Sequence, residues 1–206
     1  MSPTLELWGG IEATVNRVAE EFYDQVTISG HHARFDDIER IAATGIKALR
    51  YPALWEKHAT EPIDWQWTDE RLNATRSFGI KPIAGLCHHG SGPKHTSLVD
   101  QSFVSGLAMH ARNVAERFPW IEYYTPVNEP LTTARFSCLY GHWYPHAKDP
   151  LQFFRALFIE IAATREAMRE IRKINPEAKL VQTEDMGKVY STRSLAYQAE
   201  FENERR

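Results

Sequence analysis

The stretch Tyr123-Tyr124-Thr125-Pro126-Val127-Asn128-Glu129-Pro130 decides how the rest of the chain is read. Tyr and Val favour a pleated backbone, so the segment reads as a short buried strand that ends on an amide and a carboxylate. Pro130 cannot continue a ladder and disfavours the right-handed helical conformation in the residue before it. Glu129 is therefore expected in extended backbone, presented at the strand tip. Asn and Glu before a proline also occur in helix caps and surface turns, and the dipeptide alone does not separate the two readings.

The bulk properties narrow the field. With 206 residues, 43% apolar and 25% charged, the chain has the composition of a soluble globular protein, one domain over residues 1–206. The net charge of -3 comes without any Lys/Arg run, so nucleic acid is not an expected partner. No apolar run approaches the ~20 residues that span a bilayer, so no membrane is expected either. Met1-Ser2-Pro3-Thr4 leads into a strand without the charged and apolar regions of a secretory signal. Cys87 and Cys138 form no C-x-x-C pair and read as reduced thiols, so the expected location is cytoplasmic.

Outward from the central stretch, strands and helices alternate. Leu5 to Ile11 is a first apolar strand; Glu12 to His32 is polar, with weak helical periodicity at Val15, Val18, Phe22 and Val26. A helix starts at Asp36, shows an apolar face at Ile38, Ile41 and Ala42, and closes on Thr44-Gly45. The strand Ile46 to Tyr51 stops at Pro52, and after a loop rich in Trp a helix runs from Thr68 to Phe78 and ends in Gly79. Gly45-Ile46-Lys47-Ala48-Leu49 is echoed by Gly79-Ile80-Lys81-Pro82-Ile83, an internal βα repeat. A strand from Ile83 to Cys87 leads into His88-His89-Gly90-Ser91-Gly92-Pro93, and a helix follows from Gln101 to Phe118. Beyond the central strand come an aromatic and histidine-rich loop (Phe136 to Asp149), a periodic helix from Leu151 to Ile174, a fifth strand from Lys179 to Thr183, and a helical tail from Ser194 to Arg206.

Strands separated so regularly by helices imply a parallel sheet. A doubly wound nucleotide-binding sheet needs a glycine-rich phosphate turn, but Trp8-Gly9-Gly10-Ile11-Glu12 lacks the G-x-G-x-x-G spacing. A TIM-type (β/α)8 barrel instead places functional residues at the C-terminal ends of several strands. Here Glu12, Arg50, His88, Asn128 with Glu129, and Glu184 each follow or end one of five strands. The expected fold is an α/β barrel of this type, holding its first five βα units.

Four motifs in order carry a family resemblance. Tyr124-Thr125-Pro126-Val127-Asn128-Glu129-Pro130 is similar to the Thr-Phe-Asn-Glu-Pro signature of the family 1 glycoside hydrolases, retaining barrels of the β-glucosidase type. Arg50-Tyr51-Pro52-Ala53-Leu54-Trp55 resembles that family's Arg-Phe-Ser-x-x-Trp, Leu86-Cys87-His88-His89 its Leu-x-His-Trp, and Leu7-Trp8-Gly9 its opening strand. The resemblance implies that Glu129 is the general acid/base, that Asn128 binds the sugar 2-hydroxyl and that His88 binds sugar. Asn16 stands where the family has a sugar-binding Gln, and His89 where a Trp is usual. The family's nucleophilic Glu follows the seventh strand, which lies past the fifth strand of this chain.

A retaining glycosidase needs two carboxyl groups roughly 5 to 5.5 Å apart. Glu129 fills one role, and Glu184 on the adjacent strand, ~4.8 Å away across a sheet, is the candidate second carboxylate; the pair Glu184-Asp185 reads equally as a helix start. Arg50 would help hold carboxylates and hydroxyls, and Trp143, Tyr144 or Trp55 would stack on a pyranose. Three readings stand: a glycosidase without cofactor, a non-catalytic carbohydrate-binding or interaction module, and a metal-dependent hydrolase drawing on the nine histidines, none of which has zinc-site spacing. An open piece of barrel would also leave strand edges that invite self-association.

Overall fold

The computed structural model describes residues 5–185 and 187–204; the expected lead-in at Met1–Thr4 and the last two residues of the expected terminal helix lie outside them. In chain order the elements are β1 (Trp8–Gly10), β2 (Val15–Val18), β3 (Glu21–Asp24), α1 (Gln25–Ile28), α2 (Asp37–Ala43), β4 (Ala48–Pro52), α3 (Gln66–Ser77), β5 (Lys81–His88), α4 (Ser102–Arg117), β6 (Tyr123–Asn128), α5 (Pro130–Ala134), α6 (Pro150–Ile174), β7 (Lys179–Leu180) and α7 (Ala196–Glu204). Five strands form one sheet in the order β1-β4-β5-β6-β7, every neighbour parallel. This is the alternating β/α architecture of a TIM-type barrel, present as five of the eight strands that such a barrel closes with.

The helix ends follow from backbone chemistry. Gly45 and Gly79 take φ of +84° and +71°, a left-handed conformation that costs glycine nothing, and each turns its helix into the next strand. The core lies between the sheet and α3, α4 and α6. Leu49, Leu86, Tyr124 and Val127 of the strands meet Leu72, Leu107, Val114, Ala163 and Ile171 of the helices, all buried. The small residues Ala111, Ala115, Ala163 and Ala167 let α4 and α6 pack closely against each other. No helix of the described residues is long and apolar enough to cross a membrane.

Three local expectations are corrected. The segment after β1 is a β-hairpin: Val15 pairs with Asp24 and Val18 with Glu21, antiparallel. Val15 and Arg17 face inward on alternate positions while Phe22 is partly exposed, a period of two that overrides the weak helical spacing. Arg17 fixes the turn by donating from Nε to the Ala19 carbonyl and from Nη1 to the Lys94 carbonyl, each at 3.0 Å. The fifth strand is shorter than expected: its last backbone ladder bond runs from Val181 N to the Tyr124 carbonyl at 2.9 Å, and side chains hold the chain from there on. Thr125 Oγ1 donates to the Val181 carbonyl at 2.7 Å and Gln182 Nε2 to the Val127 carbonyl at 3.1 Å. Glu129, expected in extended backbone, sits in the left-handed region (φ 46°, ψ 65°) as N-cap of α5. Pro130 occupies the first helical position, where its missing N–H is not needed, so the chain must reverse at Glu129 instead of running on.

Candidate functional site

Sheet register assembles the site. Parallel pairing sets His88 beside Asn128 at the ends of β5 and β6, and Gly10 at the end of β1 beside Arg50, which was expected to end its strand but lies in the middle of β4, whose pairing runs on to Pro52. Arg50 and the Thr183 hydroxyl both donate to Asn128 Oδ1, the latter at 2.8 Å, and Arg50 Nη1 also reaches Thr183 Oγ1 at 3.1 Å. Asn128 Nδ2 is turned the other way and lies 3.2 Å from His89 Nε2. A charge-assisted donor on one side and a ring nitrogen on the other leave this amide a single orientation.

His88 is buried, with its Nε2 3.4 Å from Glu12 Oε1 but without a hydrogen bond. Burial, and then the neighbouring His89, pull His88 down to about 3 against the attraction of Glu12, so it is neutral. His89 is likewise held to about 4 by burial. Glu12 feels burial first, which raises it, but the Thr14 hydrogen bonds and His88 outweigh that and hold its carboxyl below the usual range. Thr14 Oγ1 donates to Glu12 Oε1 at 2.5 Å.

Glu129 is partly exposed, at 28%, and its Oε2 lies 3.6 Å from His89 Nε2. Burial, then the charge of Glu184, push its carboxyl upward against the pull of Arg50. A carboxyl pushed toward neutrality and open to solvent on one side is suited to giving and taking a proton.

Glu184 accepts a hydrogen bond from Leu131 N at 2.9 Å through Oε2 and one from Asp185 N at 3.1 Å through Oε1. Its carboxylate thus serves the first turn of α5. Trp143 reaches the cluster, its ring 5.5 Å from that of His89 and stacked at 4.8 Å on Phe136. One other aromatic expectation is corrected: Trp55 is buried in the core edge-on to Phe103 at 5.7 Å, while the Arg17 guanidinium covers one face of the Tyr144 ring at 3.9 Å. Asn16 lies on the hairpin opposite Tyr23, half-buried on the pleat facing away from the buried Val15 and Arg17, and among the described residues no hydrogen bond joins it to the cluster.

Several participants carry no clear sequence signal. Thr183 was legible as a polar strand end, whereas Thr133, whose hydroxyl is 2.9 Å from His89 Nδ1, sits a turn into α5 with no motif around it. Glu56 is half-buried, with its carboxyl tucked under the loop after β5, Oε1 accepting from Gly92 N at 3.0 Å and Oε2 out of reach of solvent, and burial raises it to about 7. The histidines elsewhere bind structure. His31 bridges Asp37 and Tyr51 at 2.8 Å each, His58 bridges the Leu54 carbonyl and Thr68 at 2.9 Å each, and His110 reaches the Ala53 carbonyl at 2.7 Å. Among the described residues no three His, Cys, Asp or Glu side chains converge as a metal site.

The fold is that of a glycoside hydrolase-like β/α barrel, present in part. The chain resembles the family 1 β-glucosidases over most of its length. It aligns with a β-glucosidase from Thermotoga maritima in complex with cyclophellitol at a TM-score of 0.70 and 22% identity, covering 83% of this chain and 42% of that one. A family 1 β-glucosidase structure from the same organism gives 0.66 and 21% over 83% and 42%. In sequence, β-glucosidase 34 of rice (Oryza sativa subsp. japonica) is 22% identical over 139 residues, 62% of this chain. The chain spans 27% of the length of that curated relative. No family model matches.

Proposed function

We propose that the chain carries the acid/base side of a retaining β-glycosidase site, hydrolysing O-glycosyl bonds with Glu129 as general acid/base. Arg50, His88, Asn128 and Trp143 bind the sugar in this reading, and Asn16 joins them where the hairpin meets substrate. The observation that carries it is the setting of Glu129: a carboxyl raised by burial and by Glu184, at a strand tip, next to an amide fixed by Arg50 and Thr183. In such a mechanism the protonated carboxyl gives its proton to the leaving oxygen, and the carboxylate then takes one from the attacking water. The neutral His88 offers a sugar hydroxyl either a donor or an acceptor, and the fixed amide of Asn128 offers hydrogen bonds of set direction. The test is hydrolysis of an aryl β-glucoside: turnover that Glu129→Gln abolishes supports the reading, and turnover unchanged by that substitution ends it.

A second reading, carbohydrate binding without hydrolysis, is favoured by one observation. Both oxygens of Glu184 accept backbone hydrogen bonds, a poor state for a nucleophile. It predicts binding of a sugar ligand by a protein with no turnover, and the two readings separate in the same assay. The cytoplasmic location stays part of this proposal.

A further inference from the structure

His89 occupies the position where the resembling family has an indole, and an indole has no acceptor nitrogen. The bonds around His89 settle which of its nitrogens carries the proton. Thr133 Oγ1 donates its only proton to the Asn128 carbonyl, 3.3 Å away. Toward His89 Nδ1, at 2.9 Å, a hydroxyl with its proton so placed accepts, which matches a hydrogen on Nδ1. Independently, Arg50 and Thr183 occupy Asn128 Oδ1, which turns Nδ2 toward His89 Nε2 as a donor at 3.2 Å. Both chains of donors give one tautomer, with Nε2 unprotonated. The ring is also held in place: its backbone takes φ 54°, its side chain is 11% exposed, and Trp143 lies against it.

The unprotonated Nε2 faces Glu129 Oε2 at 3.6 Å. That separation is too long for a hydrogen bond, but the partial negative charge of an unprotonated ring nitrogen disfavours a carboxylate oxygen beside it more than a neutral carboxyl. We propose that His89 is a positioning residue: locked as its Nδ1–H tautomer by Thr133 and Asn128, it keeps an unprotonated, electron-rich ring nitrogen beside Glu129 and favours the protonated, proton-donating carboxyl. The proposal rests on the reading of Glu129 as the acid/base. The other groups facing the pair are Glu184 and Asp185 beyond β7, Arg50 on β4, Glu12 after β1 and the adjacent His88. Burial holds His89 down to about 4, which keeps the ring neutral where the lock has to operate.

Long-range proton–nitrogen NMR correlations of the histidine rings in the 206-residue protein test this directly. The expected result is a neutral Nδ1–H ring for His89 throughout about pH 6 to pH 8. In Thr133→Val, which removes the hydroxyl acceptor, the Nε2–H form becomes populated and the Glu129 titration, followed by carboxyl carbon shifts, falls by about one pH unit. An Nε2–H or doubly protonated His89 in the unsubstituted protein overturns the proposal. So does a Thr133→Val protein in which ring tautomer and Glu129 midpoint are both unchanged. These signals come from the resting protein, so absent glycoside hydrolysis counts against the acid/base reading and leaves the tautomer result standing.

Discussion

Glu184 accepts a hydrogen bond from the backbone N–H of Leu131 at 2.9 Å, so a carboxylate from the segment after β7 caps the helix that begins immediately after Glu129. The contact ties two neighbouring strand ends together. It also places a negative charge near Glu129 and helps raise that carboxyl. Glu184→Gln is expected to lower the Glu129 midpoint, because a neutral amide no longer opposes ionisation. It should also destabilise the fold by about 0.5–2 kcal/mol through the weakened cap. Carboxyl NMR titration and chemical denaturation measure the two effects. If Glu184 acted as nucleophile, the same substitution would abolish turnover.

A pH prediction follows from Glu56. Burial pushes its carboxyl up to about 7 in the folded protein from an ordinary 4.5, so the folded state binds the extra proton between those limits. Stability contributed by the protonated group is complete below about pH 4.5 and is lost as pH rises through about 7. Unfolding free energy should therefore decline across that window, and Glu56→Gln should reduce the decline. Glu160, buried with both oxygens unpaired and raised by burial, adds to the decline in both proteins. The difference between the two denaturation profiles is the quantity to measure, and parallel profiles would contradict the assignment.

Arg50→Met removes the charged donor that fixes Asn128. Hydrogen bonds to charged groups contribute about 1.5–3 kcal/mol, so binding of a glucose-type inhibitor should weaken roughly 10- to 100-fold. Deoxynojirimycin is a suitable probe, being a ligand of one of the structurally similar β-glucosidases. Titration calorimetry reads the change.

The outer face of α6 leaves Leu151, Phe154, Phe158 and Ile161 half or more exposed, spaced as one helical stripe, and Leu180 on the edge strand β7 is also exposed. We propose that this face and the open strand edge drive self-association. Sedimentation velocity should show mass rising with concentration, and the double substitution Phe154→Lys with Phe158→Lys should suppress it. A monomer at all concentrations would contradict this.

The legible parts of the fold are those set by short-range rules. Helix stops at Gly45 and Gly79 follow from glycine's access to positive φ, and both appear where expected. The five parallel strands follow from the repeated alternation of apolar strand, helix and glycine. The hairpin at Val15–Asp24 was not legible, because Val15, Val18 and Phe22 fit a loose helical spacing until the pairing partner is known. Glu129 was placed at the strand tip, but its left-handed backbone was hidden: the proline rule points to extended backbone, and the start of α5 at Pro130 overrides it. Of the candidate site residues, His88 and Asn128 end their strands and Glu129 follows at once, as their positions suggested, whereas Arg50 lies in mid-strand. Thr133, Glu56 and the hydrogen-bonding role of His89 depend on what lies across space, which spacing along the chain does not encode.

The central claim, a carbohydrate site built around Glu129, is tested most directly by calorimetric titration of deoxynojirimycin into the unsubstituted protein and into Glu129→Gln. The account predicts saturable binding by the first and affinity lower by about tenfold or more in the second, since an ionisable partner is lost. Equal affinity in the two proteins, or no binding by either, would contradict it.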